Sequence, residues 1–228
     1  MWAAIALGKS GALYPGANIE IPRSGLNQAV HAERSAIANA FGHKEEGIAA
    51  IAVTAAPCGH CRQFMNEISG GGQIRVLISD RAPQPLQVLL PDSFGPADLG
   101  LTSSLFTQGS TVPSLKTDAS DALSEAALAA AARSYAPHTK ALSGCAIILK
   151  SGTIVSGSYL ENAAFNPSLA PLQSALVSVV MRQEEFADIT RVALVELANA
   201  TISHEAATRM VLAALAPRAS LDVVTATL

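Results

Sequence analysis

Residues Val30–Glu67 read VHAERSAIANAFGHKEEGIAAIAVTAAPCGHCRQFMNE, with His31 and Glu33 at one end and Pro57-Cys58-Gly59-His60-Cys61 near the other. Two cysteines three apart and one distant histidine make three protein ligands for zinc. Three protein ligands leave the fourth position open for water, which is the habit of catalytic rather than structural sites. A structural site would want a fourth protein ligand, and only His60 stands nearby, between the cysteines and directed elsewhere on its helix. Glu33, two residues from His31, cannot easily bind the same ion, but it can stand beside the metal as an acid/base. Alone it would read as a solvated helix carboxylate; two residues after a ligand it does not.

Working outward, Ala29–Phe41 has an apolar stripe of Val30, Ile37 and Phe41 with Ala between, and Gly42 closes it, which predicts a helix with His31 and Glu33 in its first turn. Ile48–Ala55 is a continuous apolar run of strand length and predicts a strand covered on both faces. Pro57 is expected to open the next helix, since proline suits the first helical position. Cys58 and Cys61 then lie a turn apart, and the positive N-terminal ends of both helices are expected to favour thiolates. Trp2–Leu7 and Ala12–Tyr14 predict a hairpin before this stretch, and Gln73–Ser79 a strand after it. The order β-β-α-β-α-β implies a three-layer α/β domain with a mixed sheet.

The chain then changes character. Asp80–Thr117 carries Pro83, Pro85, Pro91, Pro96 and Pro113 around a short apolar piece at Leu86–Leu90, and predicts a long connector. Asp118–Tyr135 (DASDALSEAALAAAARSY) predicts a helix ended by Pro137. Strands are expected at Cys145–Leu149, Ile154–Ser156, Arg191–Glu196 and Leu221–Thr225, with helices near Leu172–Met181 and His204–Leu215. His43, His138 and His204 read as surface imidazoles and Cys145 as a core thiol.

The second half repeats the first. Lys9-Ser10-Gly11 matches Lys150-Ser151-Gly152, Gly16 matches Gly157 and Glu20 matches Glu161, each pair 141 apart. After a shift of about one position, His31-Ala32-Glu33 faces Pro171-Leu172-Gln173. The second copy therefore has neither histidine nor carboxylate, and no C-x-x-C, so it keeps the fold without the zinc chemistry. It also has the helix Asp118–Tyr135 before its first strand, whereas nothing of the kind precedes Ala4, the equivalent of Cys145. One face of the first sheet is therefore expected to lie uncovered. An upstream start is the simplest account, with cover by another chain or a destabilised first domain as the alternatives.

Composition limits the function. Of 228 residues 50% are hydrophobic and 14% charged, enough for a large core, a subunit interface, or both. A net charge of −3 offers no basic stripe for nucleic acid. No apolar run reaches the roughly 20 residues of a membrane helix. Three cysteines, two of them at metal-ligand spacing, fit a reducing compartment, and a cytoplasmic protein is expected.

The pattern H-x-E…P-C-x-x-C resembles the zinc deaminase signature. With GANIE at Gly16–Glu20, LLPDSFGP at Leu89–Pro96 and GSYLENAAFNP at Gly157–Pro167, the chain resembles the bacterial two-domain, homodimeric cytidine deaminases along essentially its whole length. The resemblance implies two tandem three-layer α/β/α domains with mixed sheets, the second catalytically degenerate. Residues 1–100 would be the catalytic domain short of its first helix, 101–117 a linker and 118–228 the degenerate copy. It implies one zinc per chain on His31, Cys58 and Cys61, with Glu33 moving protons. Asn18 and Glu20 would hold the ribose 3′-hydroxyl, the backbones of Ala32 and Ala56 would read the base, and Phe94 would reach into the partner subunit's pocket. The implied reaction takes cytidine and 2′-deoxycytidine to the uridines and ammonia. The alternatives are deamination of another nucleoside or base, or a zinc-binding or oligomerisation module impaired in turnover by the absent N-terminal segment.

Overall fold

A computed structural model describes residues 3–107 and 112–228. Met1, Trp2 and residues 108–111 lie outside the described residues, and with them the outer end of the first expected strand and the polar middle of the connector. The chain forms two compact units that are not contiguous in sequence. One comprises Met1–Ile19, Val30–Ser110 and Glu161–Ser168, the other Glu20–Ala29, Thr111–Leu160 and Leu169–Leu228. Each unit thus incorporates the loop that follows the second strand of the opposite repeat. Among the described residues no helix is long and apolar enough to cross a membrane.

In the first unit, strands β1 (Ala3–Gly8), β2 (Leu13–Ala17), β3 (Ile48–Val53), β4 (Arg75–Ile78) and β5 (Gln84–Pro85) form a mixed sheet in the order β2-β1-β3-β4-β5. Only β3 and β4 run parallel. Helices α1 (Ala32–Gly42), α2 (Gly59–Asn66) and the single turn α3 (Leu86–Leu89) complete it. Helix α1 lies hard against β2: a Cβ on Gly16 would come within 2.2 Å of the Ala32 carbonyl oxygen and 2.3 Å of the Ala36 nitrogen. Only glycine permits that approach.

Three local expectations need correction. Helix α1 begins at Ala32, not Ala29, because Ile19 and Val30 exchange backbone hydrogen bonds of 2.8 and 3.0 Å that hold the chain extended up to His31. Helix α2 begins at Gly59, not Pro57, with Cys58 as its extended N-cap residue. Strand β3 is covered on one face only, since Ala52 is exposed and Ala50, on the same face, is half-buried. The open face is continuous across the sheet. Register places Pro15, Ile5, Ala52 and Leu77 in one exposed row, with Leu13 beside it. The uncovered face expected from the repeat is present.

In the second unit α4 (Ala122–Ala132) precedes β6 (Ser143–Leu149), β7 (Ile154–Ser158), α5 (Pro171–Met181), β8 (Ile189–Leu197), α6 (Glu205–Leu215) and β9 (Ser220–Ala226). The sheet runs β7-β6-β8-β9, again mixed, with β8 and β9 parallel. Both faces of β6 are buried. Leu123, Ala127 and Ala131 of α4 close one face in a cluster with Ala146, Ala193, Val195 and Ala226. On the other face α5 meets Gly157, where a Cβ would lie 2.1 Å from the Ala175 nitrogen and 2.7 Å from the Pro171 carbonyl oxygen. The Gly16 contacts are the same with Ala36 and Ala32. Pro171 is therefore the equivalent of Ala32, Ala170 of His31, Leu172 of Glu33 and Gln173 of Arg34, one position from the alignment expected above. The second copy still lacks ligand and carboxylate. The helix expected over Asp118–Tyr135 is shorter, because Asp121 caps it by accepting a 2.8 Å bond from the Ser124 N–H. His204 is no surface imidazole: its ring lies 4.5 Å from that of Tyr159, and burial lowers its pKa to about 4.

Candidate active site

Two helix starts in the first unit bring the ligand residues together. His31 is the N-cap residue of α1, yet its side chain makes no capping bond. The first N–H of the helix, on Ala32, instead donates to Asn18 Oδ1 at 2.8 Å. Asn18, one residue beyond β2, thus satisfies the first free N–H of the helix, and the imidazole makes no capping bond. At α2, Cys58 occupies the N-cap and Cys61 the first turn, where Phe64 and Met65 continue the buried side.

The three donors form a small triangle. His31 Nδ1 lies 3.3 Å from Cys58 Sγ and 3.5 Å from Cys61 Sγ, and the two sulfurs are 3.6 Å apart. Tetrahedral zinc, with Zn–S near 2.3 Å and Zn–N near 2.0 Å, spreads its ligands over about 3.5–3.8 Å, so these edges fit the ion. Among the described residues this is the one group of three or more such side chains able to hold a metal. Glu33 stands next to it, almost buried, with Oε2 3.4 Å from Cys61 Sγ.

Burial pushes the Cys61 thiol far above its ordinary range, and the neighbouring Glu33 and Cys58 add to it. At Cys61 burial thus works against the help expected from the helix N-terminus, and coordination itself would remove the proton.

Arg34 is buried beside this cluster. Burial lowers the pKa of its guanidinium, opposed by Cys61, Cys58 and Glu33, and its Nη1 donates to the Pro167 carbonyl at 3.2 Å. Its counterpart Gln173, in the second unit, donates from Nε2 to the Gln28 carbonyl at 2.8 Å. Each repeat thus holds the incorporated loop from the same helix position.

Of the remaining expected residues, Asn18 and Ala32 are hydrogen-bonded to each other at α1, as described. Ala56 is exposed just before buried Pro57. Phe94 is 44% exposed, while its carbonyl accepts from Gln63 Nε2 at 2.7 Å and Asn66 Nδ2 at 3.1 Å. Glu20 is exposed and opens the stretch that belongs to the second unit. The sequence reasoning missed Arg34, Glu67 and Asn162. A charge inside an otherwise apolar helix stripe is the signal that marks Arg34. Nothing local marks Asn162 as serving α2, since the Gln63 that its side chain meets is 99 residues away.

A sequence model of the family described as the cytidine and deoxycytidylate deaminase zinc-binding region matches residues 2–76, and a second model of the same description matches residues 86–209. The chain is 48% identical over 214 residues to a cytidine deaminase of Vibrio atlanticus (strain LGP32), which covers 94% of this chain and 72% of that protein. It is 49% identical over 212 residues to one of Cronobacter sakazakii (strain ATCC BAA-894), covering 93% and 71%. A crystal structure of a cytidine deaminase from Burkholderia pseudomallei is 27% identical, with a TM-score of 0.41, covering 46% of this chain and 83% of that one. Two zinc-binding deaminase domains in tandem, one of them bearing the donor triangle, define the class of protein. The chain belongs to the cytidine and deoxycytidylate deaminase family.

Proposed function

We propose that the protein hydrolyses cytidine and 2′-deoxycytidine to uridine, or 2′-deoxyuridine, and ammonia. The observation that carries this is the His31–Cys58–Cys61 triangle with the Glu33 carboxylate against it. In this proposal residues 1–100 are the catalytic domain, 101–117 the linker and 118–228 the non-catalytic copy. His31 Nδ1 and the sulfurs of Cys58 and Cys61 would hold zinc, which when bound supplies hydroxide at neutral pH.

The proton work falls to Glu33. Two thiolates would donate more charge to a bound zinc than imidazoles do, so its water would be less acidified and a base is needed. Glu33 would take one water proton and deliver it to ring N3 as oxygen adds at C4, then take the second proton from that oxygen and pass it to the amino group as the C4–N bond breaks. Oxygen replaces nitrogen at C4, and ammonia leaves. Its near-complete burial keeps the carboxylate from competing solvent. Asn18 and Glu20 would hold the ribose 3′-hydroxyl, and the Ala32 and Ala56 backbones would orient the base.

We further propose a cytoplasmic homodimer in which Phe94 reaches the partner's pocket. The support is its exposed ring on a backbone tied to α2 by Gln63 and Asn66. The open face of the first sheet favours a second reading, a zinc-binding or oligomerisation module weak in turnover. Cytidine turnover separates the two, because both bind zinc. Glu33→Ala is expected to keep its zinc and lose turnover by about 10²–10⁴-fold. Normal turnover in a zinc-replete variant would sink the mechanism.

A further inference from the structure

The loop Glu161–Ser168 comes from the repeat that has no site, yet it belongs to the compact unit that holds the donor triangle. Helix α2 has only eight residues; at its end the Phe64 and Met65 carbonyls accept from the N–H groups of Glu67 and Ile68, and the Gln63 carbonyl looks outside the helix for its partner. Asn162 of the loop meets that need: its Nδ2 donates to the Gln63 carbonyl at 3.0 Å. Gln63 Nε2 lies 3.4 Å from Asn162 Oδ1, which closes a two-way contact. One residue on, the Ala163 N–H donates to Glu67 Oε2 at 2.8 Å, and Glu67 is the C-cap residue of α2. Asn162 and Glu67 are both fully buried. The loop is itself stiffened, since the Asn162 N–H donates to Ser168 Oγ at 2.9 Å and the Phe165 N–H to the Asn162 carbonyl at 2.8 Å.

The same loop also holds the other ligand-bearing helix. Arg34 of α1 donates to the Pro167 carbonyl, three residues along α1 from His31. One short, internally bonded segment therefore grips α1 near its histidine and α2 at the end opposite its cysteines. The separation of His31 from Cys58 and Cys61 depends on how those two helices stand to each other. A metal centre tolerates ligand displacements of only a few tenths of an ångström.

We propose that the loop Glu161–Ser168 is a positioning element of the metal centre, acting through Asn162 and Glu67 on α2, and that Asn162 is its principal positioning residue. This rests on the metal reading given above. The degenerate repeat then has a task in the chemistry beyond filling out the fold: it sets the geometry of the one triangle.

The test uses the full chain loaded with cobalt(II) in place of zinc, because cobalt bound to thiolate gives charge-transfer and d–d absorption that reports ligand geometry. Asn162→Ala is expected to shift and weaken the d–d bands, and to release zinc to a chelator about tenfold faster. It is also expected to lower kcat more than it raises KM for cytidine. Asp121→Ala, which removes the cap of α4 in the other unit, serves as a variant that lowers stability alone, and its cobalt spectrum should match the unaltered protein. If Asn162→Ala does not fold, Ser168→Ala, which removes only the partner of the Asn162 N–H, should show the same spectral shift at smaller size. A wild-type cobalt spectrum with unchanged zinc release in either loop variant would overturn the positioning role and leave the metal reading standing. No thiolate–cobalt band in the unaltered chain would overturn the metal reading, and this inference with it.

Discussion

Set beside each other, β1–β4 of the first unit and β6–β9 of the second pair in the same order and sense, β2-β1-β3-β4 against β7-β6-β8-β9. The likeness extends to one face: α1 presses on Gly16 as α5 presses on Gly157, with equivalent backbone atoms in contact. On the other face it stops. Gly144 lies under α4, close enough for a Cβ to meet the Ala131 nitrogen at 2.2 Å, while its equivalent Ala3 is exposed. Strand order and one helix contact are thus enough to specify the fold. Cover on the second face and chemistry at the helix start are written separately. The chemical differences also hang together. In the second copy Pro171 has no N–H to cap, so no asparagine is needed to serve it. Tyr159 stands where Asn18 stands in the first copy, and packs its ring at a tilt against His204.

The largest expected effect comes from making the first site resemble the second. His31→Ala reproduces Ala170 at the head of the helix and removes one of three ligands. Zinc affinity, measured by chelator competition, should fall by about 10³-fold, and turnover with it. The reverse change, Leu172→Glu, restores a carboxylate at the position of Glu33 but no ligand. Zinc should stay at one per chain and turnover should not change. A second bound zinc in that variant would show that the two helix starts are closer in chemistry than the comparison holds.

The covered and open faces are separated by a matched pair of substitutions. Gly144→Val drives a side chain into the backbone of α4 and should cost about 3 kcal/mol, because overpacking against main chain cannot be relieved by a rotamer change. Ala3→Val, at the equivalent place, should change stability by less than about 0.5 kcal/mol. Urea midpoints at constant m-value check both. Equal losses would mean that the first sheet's open face is covered in solution.

The elements with strong periodicity, from α1 to β9, were legible because apolar spacing reports burial directly. The donor set was legible because zinc chemistry limits which residues can serve at that spacing. What escaped was set by distant contacts. The start of α1 is decided by the Ile19–Val30 bridge, and the first helical N–H, on Ala32, is served by Asn18 from 14 residues away. Apolarity alone made β3 look covered on both faces, although alanine tolerates either environment and Ala52 is exposed. Asn162 looks like a loop asparagine until α2 stands in front of it. His204 looks polar and exposed until Tyr159 closes over it.

That last pair gives the smallest effect, and it again divides the units. Tyr14 and His43 in the first unit and Tyr159 and His204 in the second are both tilted ring pairs, with centroids 5.8 Å and 4.5 Å apart. His43 is exposed; burial holds His204 near pKa 4, against an ordinary value of 6.5. Above pH 6.5 the His204 ring is neutral folded or unfolded and contributes no pH dependence. Between pH 6.5 and 4 the unfolded chain takes up a proton that the folded chain refuses, so stability falls as pH falls. Below pH 4 both states are protonated and the loss is complete. At about 1.4 kcal/mol per pH unit, the whole loss is roughly 3 kcal/mol. His204→Phe keeps a ring against Tyr159 and removes the titration, so its urea midpoint should drop less than the unaltered protein's between pH 7 and pH 4.5. His43→Phe, changing an exposed ring, is the control. If His204→Phe leaves the pH dependence of the midpoint as steep as before, the acid sensitivity belongs to groups common to both repeats, and burial of this imidazole is not its source.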